Sequence, residues 1–223
     1  MKISQILRVK KGVTALIGGG GKTTLMYKLA QELSAFGTVI ICTTTRIFEP
    51  DDMPVLTGCS EEDILEALKS QRIICVGTKA ASGKLSAPAV SFDRLTKLAD
   101  YIIVEADGAH GLPIKAHADY EPVIPAETNK TILVIGADAF GQSIAEVCHR
   151  PELFAAIAQL DLQSALTPQI IGRVITSEGY GDCLLINKAE DEKAQENAAV
   201  LARMLTIPVI AGSLKREEYT CLH

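Results

Sequence analysis

Four glycines in a row, then a lysine and two threonines, constrain this chain more than any other feature. The segment VTALIGGGGKTT runs from Val13 to Thr24. Each glycine gives up more backbone entropy on ordering than alanine would, about 0.5–1 kcal/mol apiece. A turn needs one or two of them, so something has to offset the rest. The apolar run before the glycines reads as a strand. After them Leu25, Leu29, Leu33 and Phe36 recur at helical spacing from about Lys22, with Gly37 placed to end that helix as its C′ residue.

Strand, bare backbone and helix together form the context of a phosphate-binding loop. The amides of Gly18, Gly19, Gly20 and Gly21 are expected to converge on phosphate oxygens, aided by the partial positive charge of the helix N-terminus. Lys22 would reach the β- and γ-phosphates, Thr23 would place its hydroxyl on Mg²⁺, and Thr24 would close around the α-phosphate. The long pattern G-x-x-x-x-G-K-[ST] fails at Leu16, where it needs glycine. The shorter G-G-x-G-K-[ST]-T is met in full, with Ile17 at the upstream position that often holds a second lysine.

Further parts of a nucleotide site follow. In Tyr101–Gly108 (YIIVEADG) four apolar residues lead to Glu105 and Asp107, two acids whose repulsion a metal cation between them would relieve. The E-x-x-G form places Gly108 to sense a γ-phosphate. Asn187-Lys188-Ala189-Glu190 ends another apolar run as N-K-x-E, a purine-reading pattern that points to guanine before adenine, with the loop after Ile207 closing over the base. Thr43-Thr44-Thr45-Arg46 follows the second strand. Thr44 is expected to complete the Mg²⁺ shell and Arg46 to steady a transferring phosphoryl group. His149 and Arg150 form a helix entry, while His110 and His117 lack metal-ligand spacing and read as structural.

The remaining chain fits an α/β protein. Apolar β-branched runs at 14–17, 38–42, 72–76, 101–105, 131–135, 183–187 and 208–211 alternate with helical stripes, as a mostly parallel sheet buried on both faces requires. Ser60-Glu61-Glu62-Asp63 reads as a capping box, Pro151 and Pro168 as first helical residues, and Ala198, Leu201, Ala202 and Leu205 as a buried stripe. The expectation is one domain over 1–223, a three-layer α/β/α P-loop NTPase with insert loops at 77–91 and 106–130. Lys+Arg 22 against Asp+Glu 27 leaves a net charge of −5, which argues against nucleic acid or an anionic membrane as partner. No apolar stretch approaches the ~20 residues of a membrane span. The first residues lack a signal-peptide core, and the 6 cysteines form no C-x-x-C pair, so a cytoplasmic setting is expected.

With these pieces assembled, the chain resembles the YqeC-type accessory proteins of selenium-dependent molybdenum hydroxylases. The likeness is carried by GGGGKTT at 18–24, TTTRI at 43–47, VEADGA at 104–109, LPIKA at 112–116, EPVIP at 121–125, HRPE at 149–152 and INKAE at 186–190. Glu190 stands where an aspartate is more usual, which leaves the base open between GTP and ATP. The resemblance implies a P-loop NTPase that works with the machinery maturing those hydroxylases, and it adds Lys115, His149 and Arg150 as substrate-site residues. Three functions stay open on the residues themselves: an NTP-hydrolysing accessory protein, a small-molecule kinase or nucleotidyl transferase acting on an anionic acceptor, and a nucleotide-binding module without turnover.

Overall fold

The computed structural model describes residues 1–81 and 83–223; Ser82, within the expected 77–91 insert, lies outside the described residues. The chain divides into two compact units. The first comprises Met1–Leu16, Thr23–Asp107 and Val123–Lys130. Its elements are α1 (Ile3–Ile6), β1 (Gly12–Gly18), α2 (Lys22–Leu33), β2 (Val39–Thr43), β3 (Val55–Thr57), α3 (Glu61–Ser70), β4 (Ile73–Lys79), β5 (Leu85–Ser86), α4 (Phe92–Leu98) and β6 (Tyr101–Glu105). Strand order here is β1-β6-β2-β4-β3, all parallel, with the short β5 antiparallel on β4.

The second unit comprises Ile17–Lys22, Gly108–Pro122 and Thr131–His223. It adds β7 (Ile114–Lys115), β8 (Thr128–Gly136), α5 (Ile144–Val147), β9 (Cys148–His149), α6 (Pro151–Ala158), α7 (Pro168–Glu178), β10 (Cys183–Asn187), α8 (Glu192–Ala202), β11 (Val209–Ser213) and β12 (Glu218–Cys221). The order is β8-β10-β11-β12, parallel except for β12, and β7 pairs with β9 as a separate parallel ladder. The fold is α/β with mostly parallel pairing, as the apolar runs require.

Every residue of β2, β6, β10 and β11 is buried, the reason those strands are continuous apolar runs rather than alternating ones. In the first unit Val13, Ile40, Cys42, Ile102 and Val104 pack with Ile64 of α3 and Leu95 of α4. The Ser60–Asp63 capping box starts α3, and Pro151 and Pro168 open α6 and α7.

Two expectations need correction. Helix α2 stops at Leu33, Phe36 is 58% exposed, and Gly37 does not take the left-handed conformation of a C′ glycine. The expected insert loop at 106–130 is not loop throughout, because it carries β7 and buries Ile114, Lys115, Ala116 and His117. Among the described residues no helix is long and apolar enough to cross a membrane.

Candidate functional site

The glycine run is shaped by its own surroundings in the second unit. Backbone φ is +93° at Gly18, +68° at Gly20 and +129° at Gly21, a region where side chains with a Cβ are strained. A Cβ on Gly19 would stand 2.5 Å from the Leu112 carbonyl oxygen, and one on Gly20 2.6 Å from Gly136 Cα. The protein itself therefore demands glycine at these places. Part of the glycine entropy is therefore offset by the fold's own close packing around the loop.

Two amides assigned to phosphate are taken by carbonyls: Gly19 donates to Val134 over 2.8 Å and Gly20 to Leu112 over 3.0 Å. Gly18 to Gly20 are buried, so the accessible part of the cradle runs from Gly21 into the first turn of α2. A helix leaves its leading N–H groups without a carbonyl one turn back, so this turn offers donors and positive potential. Lys22 is buried, and its Nζ donates to the Gly18 carbonyl at 2.5 Å.

Asn187, Lys188 and Glu190 sit where β10 ends. The Asn187 side chain donates to the Gly20 carbonyl at 2.8 Å and accepts from the Leu214 N–H at 3.0 Å. Lys188 takes a left-handed backbone, φ +61°, and its ammonium pairs with Asp138 at 2.5 Å. Glu190 accepts the Ser213 hydroxyl at 2.6 Å on one oxygen and faces Arg216 at 3.1 Å with the other. The carboxylate expected to read a base is thus engaged by its own chain.

The first unit gathers the hydroxyls and acids. Leu16 of β1 lies in register with Glu105 of β6, which brings the strand end beside the helix start. Thr23 Oγ1 donates to Glu105 Oε2 at 2.9 Å. The Glu105 carbonyl accepts the Thr43 hydroxyl at 2.8 Å and the Thr44 N–H at 3.1 Å, and the Thr43 oxygen in turn accepts the Thr45 N–H. Glu105 and Asp107 are both buried. Thr44 Oγ1 is buried and has no hydrogen-bond partner among the described residues. Arg46 is exposed and pairs with no acid among the described residues, and Thr24 is exposed too.

A further set of side chains meets around the β7–β9 ladder. Lys115 Nζ donates to the Gly108 carbonyl at 2.7 Å and to Glu121 Oε2 at 2.6 Å. Arg150 Nη1 donates to the same oxygen at 2.5 Å, and Nη2 reaches the Tyr120 hydroxyl at 3.1 Å. Burial works to raise the Glu121 carboxyl, but the hydrogen bonds from Arg150 and Lys115 outweigh it and hold it below the usual range. His149 stacks on His110 with ring centroids 4.6 Å apart. Burial, then the charges of Lys115, His110 and Arg150, push the His149 imidazole down to about 4. His117 is bound through Nδ1 and its backbone N–H to Glu178.

Sequence reasoning missed Glu121, Tyr120, Glu178, Ser213 and Arg216. Glu121 lies in the EPVIP motif, which carries the resemblance but has no spacing signal of its own. Among the described residues no group of three His, Cys, Asp or Glu side chains is arranged to hold a metal. Mg²⁺ does not require one, since it binds through one or two carboxylates, waters and substrate phosphates.

These features define an α/β protein in which a glycine loop opens a helix and buried carboxylates end the strand paired with the loop's own. The chain belongs to the YqeC protein family, which matches residues 14–152. That span holds the glycine loop, Glu105 and Arg150, and ends before Asn187. The chain is 35% identical over 162 residues to "Uncharacterized protein YqeC" of Escherichia coli (strain K12), a match covering 69% of this chain and 63% of that protein. It therefore spans somewhat less than two thirds of that relative's length. A solved structure of the signal recognition particle 54 kDa protein from Aeropyrum pernix K1 in complex with GDP is similar at a TM-score of 0.42 and 16% identity, covering 96% of this chain and 44% of that one.

Proposed function

We propose that this chain binds a Mg²⁺–nucleoside triphosphate along Gly18–Thr24 and hydrolyses it, as an accessory protein in the maturation of selenium-dependent molybdenum hydroxylases. The observation that carries this reading is the Thr23 hydroxyl held on Glu105, 2.9 Å away, directly after Lys22 in the chain. A hydroxyl in the first helical turn and a carboxylate at a strand end are the pair that holds Mg²⁺ beside nucleotide phosphates. The residues fit the ion: both acids are buried, and Thr44 Oγ1 is an orphaned buried oxygen in the same unit. Mg²⁺ bound there would neutralise charge on the phosphate oxygens.

The chain's own groups do the rest. Lys22 leaves the Gly18 carbonyl for the β- and γ-phosphate oxygens, and the first turn of α2 supplies N–H donors. Asp107 orients the attacking water, and Arg46, exposed and without an acidic partner among the described residues, turns in to steady the transferring group. Acceleration then comes from positioning and charge stabilisation. The base is a purine, GTP or ATP; reading it with Glu190 requires release of Ser213 and Arg216. The hydroxylase assignment rests on the family likeness alone.

Phosphate release with Mg²⁺ and GTP, ATP or CTP tests the reading, with a molybdenum hydroxylase added or omitted. Hydrolysis independent of any acceptor and stimulated by the hydroxylase supports it. Product that forms only with a small anionic acceptor supports a kinase or nucleotidyl transferase instead, a reading favoured by the Lys115–Arg150 cations. Tight binding without turnover leaves a binding module. Absence of any binding refutes all three. Glu190→Ala should weaken GTP more than ATP; equal losses would refute guanine selectivity.

A further inference from the structure

The cations around the β7–β9 ladder meet in a way that a structural salt bridge does not explain. Lys115 and Arg150 both direct hydrogen bonds to one oxygen of one carboxylate, Glu121 Oε2. A contact built for stability gains most when both carboxylate oxygens are shared in parallel hydrogen bonds. The Lys115 side chain has 0% exposure, so its charge lies where water does little to screen it.

The backbone around these cations is strained. His110 and Arg150 both hold left-handed conformations, φ +50° and +64°, although neither is glycine. Such strain costs about 1–3 kcal/mol per residue and gathers at ligand sites. Access exists beside them. A Cβ at Gly108 or Gly111 would meet no atom within 4 Å, and Tyr120, whose ring lies 5.1 Å from the Arg150 guanidinium, is 71% exposed.

We infer that Lys115, Arg150 and the His149 imidazole bind a small phosphate-type oxyanion, and that the Glu121 carboxylate is an internal counter-ion which this ligand displaces. Two cations then face a dianion with enough oxygens for each to hold its own, where Glu121 offers both the same oxygen. The depressed proton affinity of His149 leaves it neutral at pH 7, so it offers one N–H donor and adds no charge. Leu112, whose carbonyl holds the Gly20 amide, is three residues before Lys115, a span of at most about 10 Å of chain. An anion held there is within reach of the loop as a transfer acceptor or a released product. The site does not depend on the nucleotide reading, because none of its groups belongs to the glycine loop.

Calorimetric titration with sodium phosphate at constant ionic strength tests it, using the Lys22→Ala protein so that the loop's cation cannot contribute. Phosphate binding should persist in that background, weaken about tenfold or more with Arg150→Gln and strengthen about tenfold with Glu121→Gln, in line with the worth of charge-assisted hydrogen bonds. The melting temperature of Glu121→Gln should also rise more steeply with phosphate than that of its parent. If Arg150→Gln does not fold, the gain in Glu121→Gln decides, since a misfolded protein cannot gain affinity. Loss of phosphate binding with Lys22→Ala, no binding at all, or equal affinity in parent and Glu121→Gln would overturn the site. Failure of the protein with Lys22 intact to bind Mg²⁺-nucleotide, with phosphate affinity unchanged, would count against the loop reading and leave this one standing.

Discussion

Asn187 donates its side-chain N–H to the Gly20 carbonyl at 2.8 Å and so fastens the end of β10 to the glycine loop. Its other end is occupied as well, by the Leu214 N–H at 3.0 Å. In the sequence Asn187 reads as part of a base-recognition motif. In the fold it is a clamp, buried and satisfied at both ends, that sets the loop's path whatever the base.

Removing the clamp should be felt without ligand. Asn187→Ala leaves the Gly20 carbonyl and the Leu214 amide without their partner, a loss of about 1–3 kcal/mol for a buried group. Urea unfolding of the unliganded protein should register it as a lower midpoint at unchanged slope. Asn187→Asp should lose more, because a carboxylate oxygen then faces the Gly20 carbonyl. A midpoint unchanged in both would mean the amide contributes no net stability.

Thr44 separates function from stability. Its buried hydroxyl has no hydrogen-bond partner among the described residues, so replacing it with a methyl of the same shape should be neutral or slightly stabilising. Thr44→Val should therefore keep its melting temperature while Mg²⁺-dependent hydrolysis falls about tenfold or more, as loss of a charge-assisted contact implies. Full hydrolysis in Thr44→Val would remove Thr44 from the metal shell.

Local patterns make part of this fold legible in the amino-acid sequence. Tyr101–Glu105 and Cys183–Asn187 are strands at the expected bounds, because burial on both faces writes an uninterrupted apolar run. Gly18–Thr24 and Glu105 are readable for a similar reason, as their signature is contiguous. The β7–β9 ladder is not. Ile114 and Lys115 pair with Cys148 and His149, two residues against two, far apart in sequence and too short for any period. Glu121 is hidden with it: its bond to Arg150, the residue that follows β9, spans 29 positions. Phe36 misleads in the opposite direction, since an apolar residue in helical register says nothing about whether the helix has already ended.

Acid should find His149. Its proton affinity in the fold is lowered from 6.5 to about 4, first by burial and then by Lys115, His110 and Arg150, with Glu121 opposing. As pH falls from 6.5 toward 4 the unfolded chain takes up a proton that the folded one refuses, so this term costs stability across that window and vanishes above it. Glu121 acts lower, its depressed carboxyl stabilising the fold above the ordinary carboxylate range and losing that contribution in stronger acid. Unfolding free energies measured between pH 7 and 4 should decline less in His149→Gln than in the parent protein. Parallel curves would mean His149 titrates normally in the fold.

Gly108 gives the sharpest test of its placement against a γ-phosphate. Unlike Gly18, Gly20 and Gly21 it has an ordinary φ, and a Cβ there would meet nothing within 4 Å. Neither packing nor conformation asks for glycine in this state, yet the position gives up about 0.5–1 kcal/mol of backbone entropy by lacking a side chain. Either a ligand must come against this backbone, or the residue must reach another conformation when one binds. Gly108→Ala should then raise the stability of the unliganded protein by about 0.4–1 kcal/mol while impairing triphosphate hydrolysis. Stability is read by denaturant melts and turnover by phosphate release on the same preparation. If the variant is stabilised and fully active, no approach or rearrangement at Gly108 occurs, and its carbonyl serves only to hold Lys115.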